Sequence, residues 1–209
     1  MAIAFTDTIS TVEQLRTVMA QPSEPALRKE MSRLDDGCRW FIERAPFVFI
    51  ATSSADGRCD VSPKGDVPGF VQVLDDETLI LPDRPGNNRA DSISNILQNP
   101  HIGMIFVVPG ADWTLRVNGR ATIIRDAAVL ERCAVNGKRP ALGIAVHVEE
   151  AYMHCPKCII RSKLWDVETQ LGPDDLPSFA LMARDQAGYQ QVPAEVVQKM
   201  DAEANQKLY

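Results

Sequence analysis

Residues 9–45 carry apolar positions at helical spacing. Val12, Leu15, Val18 and Met19 form one stripe. Pro22 and Pro25 interrupt it, and a second helix is predicted over 26–44, with Trp40 and Phe41 packed on the core. The pattern then turns β-branched and aromatic. Residues 47–54, the Ala55-Asp56-Gly57 turn and residues 58–63 predict a hairpin. Residues 70–74 and 78–81, around Asp75-Asp76, predict a second. Pro82, Pro85 and Gly86 mark a tight loop. A helix over 88–98 ends at Asn99-Pro100, and 101–108 is a buried strand. Pro109-Gly110 leads into a strand over 113–124. A short helix (126–134) and Asn136-Gly137 precede a strand over 141–153. Residues 156–165 are ambiguous. Helices are predicted over 179–186 and 194–207, and 166–178, with Gly172, Pro173 and Pro177, is the best linker candidate.

The centre, 46–155, thus holds about six strands, mostly hairpin-connected, with one helix inserted after the fourth. Six antiparallel strands hide their edges by closing into a barrel. With 209 residues, the chain is long enough for one domain with extensions, or two small ones. Lys plus Arg number 22 against 28 Asp plus Glu, a net charge of −6, which argues against a nucleic-acid partner. The first residues have neither the basic nor the apolar region of a secretory signal. The longest apolar stretch, Ile102 to Pro109, is far short of a membrane span, so no membrane association is expected. Five cysteines at irregular spacing do not resemble a disulfide framework, and a reduced, cytoplasmic protein is expected.

Common catalytic signatures are missing: there is no dinucleotide fingerprint, phosphate loop, nucleophile elbow or H-E-x-x-H. His101 reads as structural. His147 and His154, seven apart in one predicted strand, are expected on opposite faces, and so not as paired metal ligands. Asp60, Asp66, Asp75 and Asp76 read as turn chemistry. Cys155 and Cys158 form a C-x-x-C preceded by His154; structural thiols, a redox pair and half a metal site stay open. No metal ligand is assigned.

The strongest constellation runs from Leu81 to Ile96: strand, Pro/Gly turn, helix start. Asn87 or Asn88 is placed to cap the helix, with Asp91 as part of a capping box. A helix start favours anions, and Arg84 and Arg89 add charges suited to phosphate. The plainer alternative is a capped helix with arginines in solvent.

In this order the elements resemble the FMN-binding split-barrel family typified by pyridoxamine 5'-phosphate oxidase. Three stretches carry the resemblance: Cys59-Asp-Val-Ser-Pro-Lys64; Leu81-Pro82 with Asn87-Asn-Arg89; and His101-Ile-Gly-Met-Ile-Phe followed by Thr114-Leu-Arg-Val-Asn-Gly-Arg-Ala, with a characteristic glycine at Gly119. The match covers about 40–165 and is similar to a bacterial subgroup with D-x-S-P-K-G-D, T-L-R-V-N-G and R-S-x-L-W. It implies an α+β fold, mainly β with helices. The expected architecture is a six-stranded antiparallel split β-barrel (46–165) with flanking N-terminal (1–45) and C-terminal (166–209) helices.

By this resemblance Arg89 and Asn88, beside Asn87, would hold the FMN phosphate, with Lys64 or Arg84 assisting. Cys59 opens the strand that lines the flavin, where Val61 and Ser62 backbone groups would meet its polar edge. Leu81 and Pro82 would pack on the ring. Thr114 and Arg116 would reach the cofactor across a homodimer interface. Asn88 stands where the oxidase has a basic residue. The oxidase's closing C-terminal Trp and Arg have no clear match, and Arg161, Ser162 and Trp165 serve instead or are structural. These departures argue against pyridoxal phosphate synthesis. The implied function is hydride transfer between a small organic substrate or nicotinamide donor and FMN. The alternatives are a non-catalytic flavin- or haem-binding split barrel and a deazaflavin-dependent reductase.

Overall fold

The computed structural model describes residues 3–172 and 175–204. Its centre is one antiparallel sheet of seven strands, in the order β2-β1-β5-β6-β7-β4-β3. The strands are β1 Phe47–Ser53, β2 Cys59–Gly65, β3 Gln72–Val73, β4 Thr78–Pro82, β5 His101–Val107, β6 Leu115–Ile124 and β7 Gly143–Met153. That is one more than the six expected, although each of the seven falls in a segment read as extended; the arm predicted over 70–74 is the short strand β3, paired only at Gln72 and Val73. The sheet curls into a half-barrel with flanking helices, the α+β split-barrel architecture. No pairing joins β2 to β3 or β4 among the described residues, so the barrel is open along the free edge of β2.

Strand alternation explains the core. Val48 and Ile50 of β1, Ile102, Met104 and Phe106 of β5, and Leu115 and Val117 of β6 all point inward and are buried. β4 is apolar on both faces for a reason: Leu79 and Leu81 join the main core, while Ile80 packs with Leu130 and Cys133 under a short helix, α5 Ala127–Glu131.

The N-terminal region departs from the expected pair of helices. In place of one helix over 26–44 there are α2 Glu24–Arg28 and α3 Asp36–Arg44, after α1 Val12–Val18. Between them Met31 bridges Ala151 of β7, which pulls the backbone out of helix. Asp35 then restarts it, its carboxylate accepting from the Cys38 N–H at 2.7 Å. α3 is amphipathic and sends Cys38, Phe41 and Ile42 into the main core. Trp40, expected beside them, is 47% exposed and stacks under Arg44 instead. The ambiguous 156–165 segment contains α6 Lys157–Ser162. The linker segment holds a 3-10 turn, Val167–Thr169, and its residues 173 and 174 lie outside the described residues. α7 Phe179–Gln186 and α8 Ala194–Ala204 follow; the predicted end of the last helix, 205–207, also lies outside them. No described helix is long and apolar enough to cross a membrane.

Candidate functional site

The split in the barrel forms a groove of about 440 Å³. One wall is β2. Asp60, Ser62 and Lys64 pair with the buried Thr52, Ile50 and Val48, so these alternate residues continue the inner face beyond the core. The opposite wall is the loop from Asp83 to Ala90 and the start of α4 Asp91–Ile96. Leu142 and Ile144 line the groove as well, brought there by the pairing of Pro82 with Gly143.

The charged residues of the groove are mostly matched. Arg84 Nε donates to Asp66 Oδ2 at 2.6 Å, and the Asp66 side chain is only 1% exposed. This buried pair ties the end of β2 to the end of β4, so Arg84 holds the groove's shape. Arg89 Nε donates to Asp91 Oδ2 at 2.8 Å on the surface. Ser92 Oγ donates to Asp60 Oδ2 at 2.9 Å. Lys64, half-buried, has no hydrogen-bond or ion-pair partner among the described residues. It is the cation of the groove that is ready to meet an anion.

The helix start differs from the expected cap. α4 begins at Asp91, not 88, and its N-cap is Ala90, in the left-handed region at φ 55° with no side-chain cap bond. Asn87 Oδ1 instead accepts from the Arg89 N–H at 3.1 Å, an Asx turn within the loop. Asn88 is also left-handed, at φ 58°. These two conformations turn the loop back on itself, and they start the helix three residues later in the chain than the apolar pattern predicts.

The groove therefore gathers Val61, Ser62, Lys64, Arg84, Asn87, Asn88 and Arg89. Cys59 is exposed and lines a neighbouring polar cleft of about 280 Å³ with Arg58 and Arg89. Leu81 and Pro82 are buried in the sheet and do not line the groove. Thr114 and Arg116 lie on β6 and just before it, away from this groove. The Thr114 carbonyl accepts from the His154 N–H at 2.8 Å. The remaining three are committed to backbone carbonyls. Arg161 Nε donates to the Lys157 carbonyl at 3.2 Å, Ser162 Oγ to the Ile159 carbonyl at 3.0 Å, and Trp165 Nε1 to the Ala111 carbonyl at 2.8 Å.

Asp60, Asp83, Ser92, Ile93, Leu142 and Ile144 also line the groove and were not singled out as site residues from the sequence. Period-two alternation with Ser62 and Lys64 was a usable signal for Asp60. None existed for Leu142 and Ile144, which depend on a strand pairing some sixty residues apart in sequence. The aspartates read as turn chemistry divide. Asp75 does cap a turn, accepting from the Glu77 N–H at 2.9 Å, and Asp76 pairs with Arg39. Asp60 and Asp66 belong to β2 and its end.

The two β7 histidines also depart from expectation. A bulge opposite Asn118 and Gly119 adds one residue to β7. His147 pairs with Arg120 and Tyr152 with Arg116, so residues on either side of the bulge share the outer face. The seven-residue spacing therefore keeps His147 and His154 on one side. Cys155 and Cys158 are free and exposed at the start of α6.

The sequence profile described as pyridoxamine 5'-phosphate oxidase matches residues 34–155. No curated protein matches the chain. Among solved structures, HupZ of Group A Streptococcus is 22% identical, with 56% of this chain and 91% of that one covered at a TM-score of 0.46. An FMN-binding protein from Syntrophomonas wolfei is 12% identical, covering 56% and 88% at 0.42. HutZ, the haem storage protein of Vibrio cholerae, is 16% identical, covering 58% and 94% at 0.40.

Proposed function

Because the chain belongs to the pyridoxamine 5'-phosphate oxidase family, we propose that it is an FMN-binding oxidoreductase acting on a small organic substrate or nicotinamide donor. The observation that carries this is the groove: its volume of about 440 Å³ suits a cofactor-sized ligand, and Lys64 stands in it unpaired, across from Asn87, Asn88 and Arg89. Bound FMN supplies hydride transfer. The chain's own residues supply binding and orientation. Lys64 gives a point charge for the phosphate, and Arg89 a planar fork once it turns from Asp91. Asn88 offers an amide donor, and Val61 and Ser62 offer backbone groups along β2. The Asp66–Arg84 pair keeps the two walls at a fixed separation.

The protein works, in this reading, as a cytoplasmic homodimer. The outer face of β1 and β2 exposes Phe49 and Val61, 42% and 63% exposed, beside Phe47 and Ile105. A second copy seated on this apolar strip would bring Thr114 and Arg116 of one subunit toward the groove of the other.

An absorbance spectrum of the purified protein tests the cofactor. Twin bands near ~375 and ~450 nm, released by heat as FMN, are expected. A colourless protein that takes up no added FMN overturns the proposal. A sharp Soret band with added haem, or uptake of a deazaflavin alone, assigns the fold to those chemistries instead. Arg89→Ala, titrated with FMN by fluorescence quenching, is expected to bind roughly tenfold or more weakly, the loss of a charge-assisted hydrogen bond.

A further inference from the structure

A second polar cluster lies on the outer face of the sheet, and none of its members lines the groove. β6 contributes Arg116 and Asn118, β7 contributes Glu150 and Tyr152, and His154 follows the strand. The N-terminal segment adds Lys29, whose Nζ donates to the Met153 carbonyl at 2.9 Å. Around the Tyr152 ring stand Lys29 Nζ at 4.7 Å, Arg116 Cζ at 5.0 Å and the His154 ring at 5.2 Å, measured to its centroid.

Charge in this cluster is incompletely matched. Glu150 lies 3.7 Å from Arg116 and is shared with Asn118, whose amide donates to it at 2.8 Å. Lys29 has no carboxylate partner among the described residues. His154 Nε2 is buried and meets no hydrogen-bond partner among them. A buried polar atom left this way calls for a partner that binds there. Burial, then Arg116 and Lys29, hold the imidazole below its ordinary pKa, so the ring is neutral and offers one N–H.

We propose that Lys29, Arg116, Tyr152 and His154 form a binding site for an oxyanion, the carboxylate or phosphate group of a small molecule. Arg116 brings a planar fork, Lys29 a movable point charge, and the phenol and imidazole neutral donors. The Met31–Ala151 bridge, with N···O distances of 3.1 and 2.7 Å, anchors the segment that delivers Lys29. The site shares Arg116 with the dimer reading above, whereas Lys29, Tyr152 and His154 have no part in that reading and all four residues belong to one subunit.

With only three histidines in the chain, nitrogen-15 spectra of the imidazoles resolve the site directly. Inorganic phosphate and benzoate are titrated separately at fixed ionic strength. The His154 signals are expected to move along a saturable curve, while His101 and His147 stay in place. Lys29→Met is expected to raise the midpoint at least about fivefold, the loss of one charge-assisted contact, and Lys29→Arg to restore it. A response to phosphate alone assigns a phosphate ester, and one to benzoate alone a carboxylate. A His154 signal that ignores both anions, or moves identically in Lys29→Met, overturns the proposal. FMN uptake by the same wild-type and Lys29→Met samples is measured independently and is expected to be equal, so failure of the flavin reading is seen separately.

Discussion

Burial divides the five cysteines by reactivity. Desolvation, reinforced by the Asp35 carboxylate, pushes the Cys38 thiol up to about 12, and burial also raises Cys133. Neither forms a useful amount of thiolate at neutral pH. Iodoacetamide on the native protein is expected to modify only Cys59, Cys155 and Cys158, with Cys38 and Cys133 following in denaturant, read by mass spectrometry. His154 makes the opposite kind of prediction. Its native pKa lies below the ordinary imidazole value of about 6.5, so the unfolded chain binds the proton more readily. Its contribution is fully present above the unfolded value and is lost as pH falls toward the native one. Urea unfolding at about pH 7 and pH 5 should show a smaller acid loss in His154→Gln than in the wild type. Single residues were unevenly legible in the sequence. Lys64 and Arg89 stand out by charge in an apolar or Gly/Pro context. Trp40 and Phe41 are adjacent and both aromatic, and only the helix phase set by the Asp35 cap decides which one is buried.

Most strands were legible because alternation and turn residues agree locally, as at Asp56-Gly57 between β1 and β2. What local pattern lacks is register. The bulge opposite Gly119 changes the face of every later β7 residue, and a count along the strand cannot detect it. Gly119 is required there: a Cβ would overlap the His147 carbonyl oxygen. Gly119→Ala is expected to destabilise by roughly 3 kcal/mol or more, measured by urea unfolding. The helix before the groove illustrates a second limit. Its polar start offered Asn87 and Asn88 as caps, but the loop uses Asn87 to turn on itself. The link between β2 and β4 is the element-scale counterpart of this long-range information. Asp66→Ala leaves the Arg84 guanidinium without its buried carboxylate. It is expected to cost about 3–5 kcal/mol and to weaken FMN binding through the displaced wall.

At the scale of the molecule, α3 packs into the main core although the sequence grouped it with an N-terminal extension, and the family match likewise begins at residue 34. α1 by contrast buries no residue, so the division between core and appendage falls near Met31. Phe49→Glu combined with Val61→Glu places charge on the apolar outer strip. It is expected to yield a monomer by sedimentation equilibrium that has also lost FMN affinity, whereas an unchanged dimer would move the interface elsewhere.

The open side of the barrel has one more consequence. β2 is an edge strand, and edge strands recruit other strands by backbone pairing unless something blunts them. Pro63 sits in the middle of β2, and the Asp66–Arg84 pair closes off its end. The chain thus discourages edge-to-edge growth of the sheet while leaving the groove beside that same edge open to a small molecule. Protection of the edge and access to the groove thus rest on one strand, and relieving one constraint, as in Pro63→Val, is expected to promote self-association at the cavity's rim.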